Sequence, residues 1–225
     1  MRRIGVAALG LGLAAAAPLA GQRSALREVR YGGAAGVTFV VAQPLGAFRL
    51  HGAVAPGLTG FAVVPTGRTG ALGVRIDGSY LVYDANYYGY GVSTTSSIGT
   101  LAVGPQLTLG RGPMRLYGFG TVGGTLFWTN ASYSGGCGCY DSDDFILDGH
   151  FTTTTQVGGG LLITVSRRNT PVAIDLGVRD VRHDRVKYVS AGSIRDNGDG
   201  TFSATRVETP VALRVYQIGV SIGLR

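Results

Sequence analysis

Ser97-Ile98-Gly99-Thr100-Leu101-Ala102-Val103-Gly104-Pro105-Gln106-Leu107-Thr108-Leu109 is the stretch from which the fold can be read. In an extended chain Leu101, Val103, Leu107 and Leu109 share one face, with Gly99 and Pro105 between them. Thr100, Ala102, Gly104, Gln106 and Thr108 take the other. An apolar repeat of two is the signature of a strand with chemically different sides, whereas a helix would repeat at 3.6. Three further segments alternate the same way. Leu72, Val74, Ile76, Tyr80 and Val82 oppose Arg75, Asp77 and Ser79. Val157, Leu161, Ile163 and Val165 oppose Thr154, Gln156, Thr164 and Ser166. Val172, Ile174, Leu176 and Val178 face away from Asp175 and Arg179.

Strands are also expected at 34–42, 58–65 and 114–128, and from Val211 to Leu224, giving about eight. The 114–128 segment alternates less cleanly, because Tyr117, Phe119 and Phe127 fall on the face of Arg115 and Thr121. Between strands, the short turns at 66–69, 110–113 and 167–171 alternate with long polar segments near 43–57, 84–96, 129–151 and 190–209. Short turns at one end and long loops at the other are the pattern of a bacterial outer-membrane barrel. A soluble sandwich has no reason to produce it.

Composition agrees. Gly supplies 38 of 225 residues and charged residues only 15%, with 45% hydrophobic. That much hydrophobicity excludes disorder, and Gly-rich strands can curve and pack closely. The polar faces carry mainly Gly, Ala, Ser, Thr and Gln, with single Arg or Asp residues. Such a face is poor against bulk water but suits the narrow lumen of an eight-stranded ring. A charge facing lipid at mid-depth costs about 2–4 kcal/mol, so Arg75, Asp77, Asp175 and Arg179 should point inward. Strands three and seven lie opposite one another in such a ring. These four residues, with Arg115, are therefore expected to form a structural lumenal charge network, compensated by pairing. Arg75 and Asp175 should sit low in it, Asp77 and Arg179 somewhat higher. Pairing of each charge with its own strand neighbour is the alternative.

Residues 1–20 have the form of an export signal: Arg2 and Arg3, the apolar run Ile4 to Ala17, then Pro18-Leu19-Ala20 before Gly21-Gln22-Arg23. Residues 21–225 are expected to form one transmembrane barrel domain, reaching the outer membrane after cleavage of the signal. No other segment has the roughly 20 apolar residues of a membrane-crossing helix. Without Arg2 and Arg3 the chain keeps 18 basic residues against 13 acidic ones. They are scattered, so the charge argues for anionic lipid head groups over nucleic acid.

Residue by residue, little suggests chemistry. His51, His150 and His183, with Asp148, Asp184, Ser190 and Ser193, offer the ingredients of a hydrolase. No nucleophile elbow accompanies them, and water-facing rim histidines are the expectation. Neither catalytic nor metal residues are assigned, and no cofactor. Cys137 and Cys139 flank a single Gly beside Asp141, Asp143, Asp144 and Asp148. The spacing matches no defined calcium loop, and a disulfide ring that small would be tight. Asp196-Asn197-Gly198-Asp199-Gly200 reads as a turn. Tyr83, Tyr87, Tyr88, Tyr90, Trp128 and Tyr133 cluster near loop ends, as an interfacial belt would.

The last strand, Gln217-Ile218-Gly219-Val220-Ser221-Ile222-Gly223-Leu224, resembles the C-terminal assembly signal of outer-membrane proteins. Gln217, Gly219, Ile222 and Leu224 fill its polar, Gly and two hydrophobic places, although Arg225 stands where an aromatic residue usually ends the chain. Residues 21–225 are similar to the small OmpA/OmpX/OmpW-like transmembrane barrels. The resemblance implies a closed antiparallel up-and-down barrel, partnership with outer-membrane lipids and with the barrel-assembly machinery, and a non-enzymatic structural or surface-interaction role through long loops. A narrow OmpW-like channel for small or hydrophobic solutes is the alternative, and a lipid-modifying barrel enzyme stands third. The sequence names no surface ligand.

Overall fold

The computed structural model describes residues 33–50, 52–66, 69–88, 92–110, 112–134, 142–166, 170–190, 193, 195–196, 202–203 and 205–224. The expected signal at 1–20, together with His51, Cys137, Cys139 and Asp141, lies outside them. Eight strands form the barrel: β1 (Ala34–Leu45), β2 (Ala55–Pro65), β3 (Leu72–Tyr88), β4 (Val92–Leu109), β5 (Met114–Ser134), β6 (Ser142–Ser166), β7 (Val172–Val189) and β10 (Arg206–Gly223). Every neighbour is antiparallel, and β10 closes the ring on β1 from Ala34↔Gly223 to Leu45↔Ala212. A separate two-stranded ladder pairs β8 (Arg195–Asp196) with β9 (Phe202–Ser203), and the turn expected at 197–200 lies outside the described residues. Closure removes the sheet edges that would otherwise need partners in hydrocarbon.

The apolar rows face out. Leu101 is 67% exposed, Val157 70% and Ile218 55%, whereas Thr100, Gln106, Gln156 and Gln217 are buried. On the outer face the aliphatic rows give way to polar residues at Ser97 on β4, Thr155 on β6, Asp180 on β7 and Arg214 on β10. Tyr80 and Trp128 pack together there at 5.8 Å between centroids, with Phe151 and Tyr216 also exposed on the outer face. A greasy band with an aromatic rim around a polar-lined lumen is a membrane-crossing surface.

The long connections are less loop-like than their polarity suggested. Residues 84–88, 92–96, 129–134 and 142–151 continue as paired strand, from Asp84↔Ser96 to Tyr88↔Val92 and from Trp128↔Gly149 to Ser134↔Ser142. Only about 9–11 residues are needed to cross the membrane. β5, with 21 residues, and β6, with 25, therefore stand well above it. Serine, threonine and tyrosine read as loop by polarity, but Thr and Tyr favour strands when a neighbour is present.

After β1, Gly46 adopts φ 58° and starts a short 3₁₀ helix, Gly46–Leu50. This turn carries Phe48 into the barrel mouth, where it is fully buried.

Candidate functional site

The lumen has two storeys. In the lower one, Arg75 donates to both oxygens of Asp77, Nε to Oδ2 at 2.7 Å and Nη2 to Oδ1 at 2.8 Å. Its Nη1 donates to Gln106 at 2.9 Å. The guanidinium lies between the rings of Phe61, at 4.1 Å, and Phe119, at 4.4 Å. From the opposite wall, Nη1 of Arg179 lies 3.5 Å from Oδ1 of Asp77. Arg179 also donates to Thr59 at 2.6 Å and to Gln156 at 3.2 Å. Asp175 accepts from the Tyr117 hydroxyl at 2.6 Å and from Gln217 at 3.4 Å. All four ions are at least 97% buried.

Three of the predicted charges, Arg75, Asp77 and Arg179, thus meet, and the fourth, Asp175, is held apart from the arginines. Asp77 is the hub, bridging its own-strand neighbour Arg75 and the cross-lumen Arg179. Asp175 has no arginine within ion-pair distance among the described residues, and a tyrosine and a glutamine hold it instead. Arg115 stands lower on the inward face of β5, paired across with Leu162 and half-buried. The pairing of Asp77 reflects pleat geometry: residues 75 and 77 project from one strand into the same space, and the long arginine turns along its own strand.

Inward aromatics were the blemish in the β5 alternation, and glycine explains how they fit. A Cβ at Gly160 would lie 2.6 Å from the Tyr117 hydroxyl, and one at Gly177 would lie 2.7 Å from it. A Cβ at Gly158 would meet Arg179 Cβ at 2.5 Å and the Phe119 ring at 2.9 Å. The glycines of β6 and β7 vacate the volume that Tyr117 and Phe119 fill.

The upper storey is apolar. Val40, Leu81, Ile98, Val181, Val211 and Leu213 close around Phe48, Tyr83, Phe127 and Tyr188. Phe48 meets Tyr188 edge-on at 5.1 Å and Tyr83 at 6.0 Å. Tyr83 therefore does not belong to an outer aromatic belt. It shares parity with Arg75 and Asp77 and is buried inside. Of the others named for that belt, Trp128 does face outward near the Tyr80 ring, and Tyr87 is exposed far above it. The side chains of Tyr88 and Tyr133 lie outside the described set, as does Tyr90.

His183, expected to face water, is 95% buried against the Phe127 ring at 5.3 Å. Asp184 points outward and accepts from Thr153 at 3.2 Å. Ser193 is tied to the Thr205 backbone. Adjacent strand positions face opposite ways, so His183 and Asp184 do not form a relay. His150 sits on the inward face opposite Phe127.

The C-terminal positions have packing roles of their own. Gln217 donates to Tyr117 at 2.8 Å, and Gly219 lets the strand approach Thr38, with room for no side chain. Ile222 and Leu224 face outward, 42% and 45% exposed.

No protein-family model matches the sequence, and no curated relative does. Solved structures similar to the chain are small outer-membrane barrels. The attachment invasion locus protein Ail of Yersinia pestis, crystallised with the heparin analogue sucrose octasulfate, is 11% identical over 87% of this chain and 98% of that one, with a TM-score of 0.45. Neisserial surface protein A is 15% identical over 85% and 96%, with a TM-score of 0.45. The N-terminal β-barrel domain of Pseudomonas aeruginosa OprF is 10% identical over 87% and 100%, with a TM-score of 0.37.

Proposed function

We propose that this barrel is an outer-membrane surface-interaction protein, non-enzymatic, whose contact element is the sheet standing above the membrane. The observation that carries this reading is the strand pairing. β2 pairs with β3 only as far as Gly57↔Leu81, and β6 pairs with β7 only from Thr154↔His183 downward. Above those points β3–β4–β5–β6 continue as a four-stranded blade. Its outer edges, Ala85–Tyr88 on β3 and Ser142–Asp148 on β6, pair with no further strand on their outer side among the described residues. An open edge offers unpaired N–H and C=O groups to another strand. A conduit finds no such support, because Arg75–Asp77–Arg179 fills the lower lumen and the Phe48 cluster its mouth.

Cells displaying the full chain, incubated on arrays of immobilised surface proteins and glycans, test this reading. Retention should exceed that of barrel-free cells. It should fall when proline replaces the β6 edge residues whose N–H groups point away from β5. Retention indifferent to those prolines, in variants that still show a folded barrel by heat-modifiable mobility, would contradict the blade as contact element. Steady current steps in planar bilayers would favour the conduit.

A further inference from the structure

On the outside of the barrel, where β6, β7 and β10 leave the apolar band, lies an open groove of about 350 Å³. Its floor is Val157, Val178 and Tyr216, all on the lipid-facing surface, 70%, 43% and 50% exposed. Its upper wall is the outward pair Arg214–Asp180, joined at 2.8 and 3.0 Å. Above that wall β7 carries Arg182, Arg185 and Lys187, all exposed. Lys187 is 3.9 Å from Glu208. Arg182 and Arg185 have no side-chain hydrogen bond or ion pair among the described residues. A greasy slot at the top of the band with two guanidinium groups just beyond it, neither of them in an ion pair, matches one chemistry, an acyl chain ending in a phosphate.

We infer that this groove is a binding site for a phosphorylated lipid of the surrounding leaflet. The acyl chain lies on Val157, Val178 and Tyr216, and the phosphate is held by Arg182 and Arg185. Arg214 stays committed to Asp180 and frames the slot. Guanidinium groups suit the role, because each presents a fork of donors to phosphate oxygens. The two components fix the occupant as a lipid. A free phosphate would leave the floor bare, and an uncharged lipid would leave the arginines unmatched. The site lies below the blade, shares only β6 with it through Val157, and does not require a surface partner.

The full-length protein in dodecyl maltoside is titrated with phosphatidic acid, with diacylglycerol of the same chain length and with inorganic phosphate. Bound adducts are read by native mass spectrometry. One phosphatidic acid should be retained, with diacylglycerol and inorganic phosphate failing to displace it at equal concentration. R182Q/R185Q should bind about 30-fold more weakly, each basic group contributing about a fivefold share. R182K/R185K should keep most of the affinity, and R49Q, on the 3₁₀ helix, should keep all of it. Both substituted positions are exposed, so the barrel should remain heat-modifiable. Equal retention of diacylglycerol would mean apolar adsorption and overturn the site. Displacement by inorganic phosphate would mean a bare anion contact and overturn the lipid assignment. A loss in R49Q matching that in R182Q/R185Q would mean diffuse attraction and overturn the proposal.

Discussion

Asp77→Ala is the most informative single change in the lumen. It removes the acceptor of two short bonds from Arg75, 2.7 and 2.8 Å, and the 3.5 Å contact with Arg179. Hydrogen bonds to charged groups are worth about 1.5–3 kcal/mol each, which puts the two short ones at roughly 3–6 kcal/mol before relaxation. Breaking a buried ion pair from one side has a typical cost of about 3–5 kcal/mol, because the orphaned charge stays buried. The Phe61 and Phe119 rings still hold Arg75 from both faces, so the lower half of that range applies: about 3–4 kcal/mol. Asp77→Asn should cost less, about 1–3 kcal/mol, since an amide oxygen still accepts. Urea unfolding of the barrel in phosphatidylcholine vesicles measures both. Trp128, the only tryptophan, serves as reporter at the top of the band. A double cycle with Arg179→Gln should show coupling of at least about 1 kcal/mol. An Asp77→Ala loss below about 1 kcal/mol, or full additivity with Arg179→Gln, would refute the hub.

Gly160→Val should destabilise by roughly 1–3 kcal/mol through overpacking against Tyr117, whereas Gly60→Val, on the lipid face with nothing within 4 Å of its Cβ, should be close to neutral; the same unfolding titration reads both. Phe48→Ala should cost about 3–5 kcal/mol by emptying the mouth. Planar bilayers should still show no current steps, because the lower storey remains filled. Leu101→Arg, in the middle of the apolar band, should cost about 2–4 kcal/mol. Tyr87→Arg, 74% exposed above the band, should change stability by less than about 0.5 kcal/mol.

Parity made much of this structure legible. Once Leu101 and Val103 are set outward, Arg75, Asp77, Asp175 and Arg179 must turn inward, and they do. The same parity places Tyr83 inside with Asp77, but its nearness to a polar segment argued for an interface position. Counting from Asp77 is the better guide. The storeys of the lumen were less visible. Val40, Leu81, Val181 and Leu213 are inward apolar residues on strands whose outward rows are also apolar, and neighbouring apolar residues blur a repeat of two. Phe48 follows a turn and takes its place only because Gly46 redirects the chain. Asp175 shows why pairing cannot be read from opposite charge alone. Its partners, Tyr117 and Gln217, lie on β5 and β10, and glycines on β6 and β7 open the space that lets Tyr117 reach it.

The central claim is that the apolar rows face hydrocarbon and the polar rows face a sealed interior. Nitroxide labels at positions 100–109 of β4, in a Cys137→Ser/Cys139→Ser background reconstituted in lipid bilayers, test it most directly through their collision rates with oxygen and with a water-soluble nickel chelate. Labels at 101, 103, 107 and 109 should be mobile, rich in oxygen contact and shielded from nickel, while those at 100, 102 and 106 should be immobile and reached by neither. Nickel contact on the 101–109 row, or no alternation between rows, would contradict the account.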